Sequence, residues 1–204
     1  MRFPSSLALL VAFVAGAVAA APTTVTVRDA QGPLADAVVA LEPADSNPPP
    51  VTAAATIDQV NKQFRPRVTV VRTGTAIDFP NSDRIRHEVY SFSKPKVFTL
   101  KLYAGRAAAP VVFDRAGLVV LGCNIHDKMS AFVAVVDTPY FGKSDATGRV
   151  TLAAPPGKYR LRVWHPDLEK PVPLEPVTIG ADAKPIEVEV SRLATPLTVT
   201  PWAE

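Results

Sequence analysis

Residues 117–136 read GLVVLGCNIHDKMSAFVAVV, two apolar runs on either side of a short polar segment. Runs rich in Val, Leu and Phe, bounded by Gly and by polar residues, are strand-like, and the polar segment between them is a loop. The loop concentrates the rare side chains of the chain. Cys123 is the only cysteine, His126 is one of three histidines, and Met129 is the only methionine besides the initiator. Thiolate, imidazole and thioether are soft or borderline donors, and such a set selects copper over magnesium, calcium or manganese. Cys123 closes the first strand, His126 follows in the turn, and Met129 opens the way into the second strand. One loop therefore brings three donors toward one ion.

A second imidazole completes the set, and His87 is the candidate. It follows the polar turn Asn81-Ser82-Asp83 and opens the strand-like run His87 to Ser91. Two histidines and a cysteine with a weak axial methionine form an electron-transfer arrangement. Structural zinc sites favour more Cys and His and have little use for a thioether. A Cys–His nucleophile would need an oxyanion hole and a third orienting residue, which nothing in the segment marks, so an enzyme is not expected. The bland alternative has Cys123 and Met129 filling a core, but Gly122 and the Asn, Asp and Lys neighbours have the character of a loop.

Outward from this segment, the chain reads as all-β. Further strand-like runs fall at Arg67–Val71, Thr75–Phe79 and Lys96–Leu102, and no helix-period repeat of useful length occurs. Twenty-one prolines in 204 residues leave little room for long helices, and a 48% hydrophobic, 20% charged composition excludes a wholly disordered chain. A single cysteine excludes a disulfide within the chain.

Residues 1–21 have a basic start at Arg2, an apolar stretch from Leu7 to Val18, and small residues at 17–21. That is the pattern of a cleaved signal peptide and predicts an exported, periplasmic protein. The stretch is short of the roughly 20 residues that span a bilayer, and no cysteine lies nearby for a lipid anchor, so no membrane span is expected in the mature chain.

Thr23 to Leu41 alternates as a β-hairpin around Gly32-Pro33 and belongs to a segment, 22–56, that continues through the proline-rich break ADSNPPPV at 44–51. Residues 57–136 form the middle domain, 137–192 a second β unit, and 193–204 a tail. The middle domain is the basic one, with twelve Lys or Arg against six Asp or Glu. Arg84, Arg86, Lys94, Lys96 and Lys128 lie close in sequence to the candidate ligands and predict a redox partner with an acidic docking face. No nucleic-acid motif is present.

The stretches FRPRVTVVRTGTAIDFPNSDRIRHEV (64–89) and 117–136 together resemble the cupredoxins of the plastocyanin, amicyanin and pseudoazurin group. Pro66, Val68, Val70, Gly74, Asn81, His87, Cys123, His126 and Met129 follow the order of that family's motifs. The resemblance implies a Greek-key β-sandwich and one type 1 (blue) copper ion held by His87, Cys123 and His126, with Met129 as a weak axial ligand. It implies a small electron carrier, and it gives Asn81 a place near the ligand loop. Leu121-Gly122 stands where the family often has an aromatic residue before the cysteine, and Ile125 where it often has proline.

Residues 144–166, SDATGRVTLAAPPGKYRLRVWHP, resemble a carboxypeptidase-regulatory-like β-sandwich module, as does the Thr23–Leu41 hairpin. The two ends of the chain either make one sandwich with the middle domain inserted between them or stand as separate elements. His165, in a Trp-His-Pro segment, reads as an exposed or packed residue at a strand end, with a metal role as the lesser alternative. The competing functions are a copper carrier that delivers Cu(I) without cycling, and an envelope-binding module with a secondary metal site.

Overall fold

The computed structural model describes residues 21–45, 48–107, 109–126, 128–180 and 184–193. Residues 1–20 of the segment read as a signal peptide, Asp127 between the candidate ligands, and residues 194–204 of the tail lie outside them. The described residues form strands and no helices, so none is long and apolar enough to cross a membrane as a helix.

The first part of the chain supplies β1 (Ala21–Asp29), β2 (Gly32–Pro33) and β3 (Val38–Pro43). The middle supplies β4 (Ala53–Thr56), β5 (Asp58–Val60), β6 (Gln63–Arg65), β7 (Val68–Arg72), β8 (Thr75–Asp78), β9 (His87–Ser91), β10 (Phe98–Tyr103), β11 (Val111–Phe113), β12 (Gly117–Gly122) and β13 (Ser130–Val136). The last part supplies β14 (Phe141–Lys143), β15 (Arg149–Ala154), β16 (Gly157–Trp164), β17 (Glu175–Ile179) and β18 (Ile186–Glu189).

Both ends of the chain share their sheets. β1 pairs antiparallel with β15 and parallel with β18, while β3 lies between β14 and β16, which continues to β17. Side chains two apart along a strand share a face. Accordingly Val150, Leu152 and Ala154 of β15 and Tyr159, Leu161 and Val163 of β16 point inward, and they meet Val25, Val27, Val39 and Leu41 in one core.

The middle strands form a second sandwich. A five-stranded sheet in the order β10-β9-β12-β13-β7 faces a three-stranded sheet in the order β11-β8-β4, with the β5-β6 hairpin beside them. Ala53–Thr56 thus pairs in this sandwich, ahead of residue 57. Ile57, Phe64, Ile77, Phe79, Val89, Phe113, Val119 and Leu121 fill the space between the sheets. At Gly74 the backbone (φ +96°) runs so close to Val51 that a Cβ would stand 2.2 Å from the Val51 carbonyl oxygen, a place only glycine fills without rearrangement.

β13 is covered on both faces, which explains its unbroken apolar sequence. Ala131, Val133 and Val135 face the middle core, whereas Phe132 and Ala134 face the terminal sandwich and pack with Val38, Val68 and Trp164. The Phe132 and Trp164 rings lie 5.7 Å apart, and Arg67 stands over Phe132 while its guanidinium bonds Asp167 at 3.2 Å.

Candidate metal centre

Strand parity carries the candidate ligands to one end of the middle core. In β9, His87, Val89 and Ser91 are the buried alternates, so the His87 ring enters the space between the sheets. In β12, Val119 and Leu121 point the same way, and Cys123, one step past the strand end, continues the series. Met129 precedes β13 on the same parity as Ala131 and is buried in the cluster that contains Cys123. Its amide donates to the His126 carbonyl at 2.9 Å, which closes the loop back onto the sheet.

Donor atoms of His87, Cys123 and His126 all lie within 4.8 Å of one another. Cys123 Sγ is 3.8 Å from His87 Nδ1, and the two imidazole rings have centroids 5.2 Å apart, inclined at 58°. His87 and Cys123 are buried; His126 is partly exposed. His126 Nδ1 is nonetheless buried and has no hydrogen-bond partner among the described residues. A buried polar atom without a partner is costly, and a metal bond is one way to satisfy it. The soft donor set and this unsatisfied nitrogen both fit copper. Among the described residues this is the one group of three His, Cys, Asp or Glu side chains with metal-binding proximity.

Residues around the centre hold it in shape. His87 Nε2 bonds Asp83 Oδ2 at 2.8 Å. Burial disfavours the charged form of Asp83, but the amides of Lys62 and Asn61 and the His87 ring together hold its carboxyl below the usual range. Tyr103 lies deeper. Burial pushes its hydroxyl up to about 12, so it stays protonated, donates to the Phe79 carbonyl at 2.6 Å and accepts from Gln59 Nε2 at 2.5 Å.

Asn81 takes a different place from the one the resemblance gave it. Its side-chain amide donates to the carbonyls of Ile85 and Tyr103, both at 2.9 Å, so it fastens the turn before His87 to β10, and among the described residues it makes no bond to the 123–129 loop. The ligand loop is tied to β9 by Asn124, whose amide donates to Glu88 at 3.0 Å. His165 is remote from the centre. It is buried, and its Nδ1 accepts the Asp167 amide at 3.1 Å.

His126 is partly exposed, its neighbour Ile125 is 48% exposed, and Ile85, two residues before His87, is 41% exposed. Arg84, Arg86, Lys94 and Lys128 are exposed, while Lys96 is half-buried and bonded to Asp114. Sequence reasoning did not single out Asp83, which it read as part of a turn. The only available signal was a carboxylate four residues before the histidine.

No family model matches the chain, and no curated protein matches it. Among solved structures it is similar to the copper-containing nitrite reductase of Thermus scotoductus SA-01, at 23% identity and a TM-score of 0.39 over 44% of this chain. The match spans 23% of the reductase, under a quarter of its length. It is similar to a purple cupredoxin from Nitrosopumilus maritimus, at 21% identity and a TM-score of 0.35, covering 41% of this chain and 99% of that one. Pseudoazurin from Methylobacterium extorquens AM1 matches at 23% identity and a TM-score of 0.36, covering 42% of this chain and 76% of that one. These likenesses concern part of the chain, and the chemistry of the centre is read from its own side chains.

Proposed function

We propose that the chain is an exported type 1 copper protein that passes single electrons between larger redox partners. The observation that carries this is the convergence of one thiol and two imidazoles within 4.8 Å at the end of a packed β-sandwich, with the buried Nδ1 of His126 lacking a hydrogen-bond partner among the described residues. His87, Cys123 and His126 would hold the ion and Met129 would complete the set from the core side. Bound copper supplies one-electron chemistry there. The protein's part is to keep the donors in one geometry, to exclude water through the burial of His87, Cys123 and Met129, and to leave His126 as the edge nearest solvent.

The exposed Ile85 and Ile125, with the exposed Arg84, Arg86 and Lys128 beside them in the sequence, would suit docking to a redox protein with an acidic face. The signal-like segment 1–21 supports a periplasmic location. The terminal sandwich is read as a carboxypeptidase-regulatory-like module, on the strength of its hairpin at 144–166.

The test is to load the purified protein with copper, then reduce and reoxidise it repeatedly while following metal retention by gel filtration. An electron carrier takes up one ion per chain and keeps it through each cycle. Release of the metal on reduction identifies a copper carrier, and failure to bind copper overturns the proposal.

A further inference from the structure

The ring of His87 is completely buried, yet both of its nitrogens face polar atoms. Cys123 Sγ lies 3.8 Å from Nδ1, and Asp83 Oδ2 lies 2.8 Å from Nε2. An ionised carboxylate only accepts hydrogen bonds, so Nε2 carries the proton and Nδ1 keeps its lone pair on the side of the thiol.

Asp83 is itself fixed from several directions. The amide of Asn61 donates to Oδ1 at 2.7 Å, and the amide of Lys62 donates to Oδ2 at 2.8 Å. Its own amide donates to Asn81 Oδ1 at 3.0 Å. Asn61 and Lys62 form the turn between β5 and β6 and both have positive φ, 54° and 61°. That conformation is unfavourable for a residue with a Cβ, above all for Lys. Here it turns two successive amides onto one carboxylate. The strained hairpin, the acid and the buried imidazole therefore form one chain of contacts that ends at the thiol.

We propose that Asp83 is the positioning residue of the metal centre: it holds His87 in the tautomer with the proton on Nε2, directs Nδ1 toward an ion shared with Cys123, and places a fixed negative charge behind that ligand. The assignment rests on the copper reading above. A carboxylate behind a metal-bound histidine raises the basicity of the ligand and orients its ring. A negative charge at that place favours the more positive, oxidised ion and so lowers the reduction potential.

The experiment combines the metal-free protein with two variants. In the wild-type apoprotein at neutral pH, ¹⁵N NMR of the His87 ring shows the neutral form protonated at Nε2. In Asp83→Ala the tautomers mix, copper affinity measured against a chromogenic chelator falls about 10- to 100-fold, and the potential rises. Asp83→Asn keeps an oxygen acceptor but loses the charge, so the potential rises with a smaller loss of affinity. If Asp83→Ala does not fold, the wild-type tautomer and Asp83→Asn decide. A wild-type ring protonated at Nδ1 overturns the assignment, as do variants with wild-type affinity and potential. A wild-type chain that takes up no copper defeats the proposed function and the potential-setting role together, whereas copper binding indifferent to both variants defeats the Asp83 assignment alone.

Discussion

Gly122 and Tyr90 stand directly opposite each other across β12 and β9, and the tyrosine ring closes over the glycine. A Cβ on Gly122 would lie 2.6 Å from the ring carbon that bears the hydroxyl. Because Gly122 is the residue before Cys123, this close approach sets how the end of β12 presents the thiol. The ring in turn lies 5.1 Å from that of Phe92, which is 67% exposed. Gly122→Val should lower stability by about 1–3 kcal/mol, as overpacking does, and disturb copper binding by displacing Cys123. Adding Tyr90→Ala opens the space again and should return a large part of the copper binding. Thermal unfolding and metal titration of the single and double variants check this, and a double variant no better than the single one contradicts it.

Cys123 and Met129 should separate by their effects. Cys123→Ser removes the thiolate and with it the intense visible absorption of the copper-loaded protein. Met129→Leu is close in volume and buried in an apolar cluster, so it costs less than about 1.5 kcal/mol of stability. It should leave the absorption in place and raise the reduction potential, because a weak thioether donor is lost. Spectra and voltammetry of the two variants check both outcomes.

His165 predicts a pH dependence that belongs to the terminal sandwich. Burial pushes its imidazole below the ordinary 6.5; Asp167 and Asp36 pull it up, and Arg192 and Arg67 push it further down. The unfolded chain therefore binds this proton more readily than the folded one. Its contribution to stability is complete above 6.5 and is lost as the pH falls through the lowered folded value. Urea unfolding between neutral and mildly acidic pH should show wild-type stability falling more steeply than that of His165→Gln. Parallel curves contradict it.

Local pattern made much of this molecule legible. The runs His87–Ser91, Gly117–Gly122 and Ser130–Val136 are strands with those limits because apolar residues bounded by polar turns leave the chain few other choices. Pairing is another matter. That β1 lies between β15 and β18 depends on contacts more than a hundred residues away, and nothing local in residues 21–29 encodes them. β4 was missed because Ala53-Ala54-Ala55-Thr56 carries little strand propensity and follows a proline-rich stretch. β5 and β6 were missed because their turn uses Asn61-Lys62, where the recognisable signal is Asn-Gly.

At the centre, Cys123, His126 and Met129 stood out because rare donors share one loop, and His87 because it opens a strand after a polar turn. Asp83 did not stand out, since an aspartate in a turn is ordinary. Its role depends on the Asn61 and Lys62 amides, which come from a hairpin some twenty residues upstream. Lys96 counted toward the basic surface in the sequence, but its pairing with Asp114 diminishes that contribution.

The most direct measurement is the visible absorption spectrum of the purified protein after addition of Cu(II). Coordination by Cys123, His87 and His126 predicts an intense thiolate-to-copper band that appears with one equivalent of metal and bleaches on one-electron reduction. A colourless protein, or one whose weak colour survives Cys123→Ser, would contradict a copper centre built on that thiol.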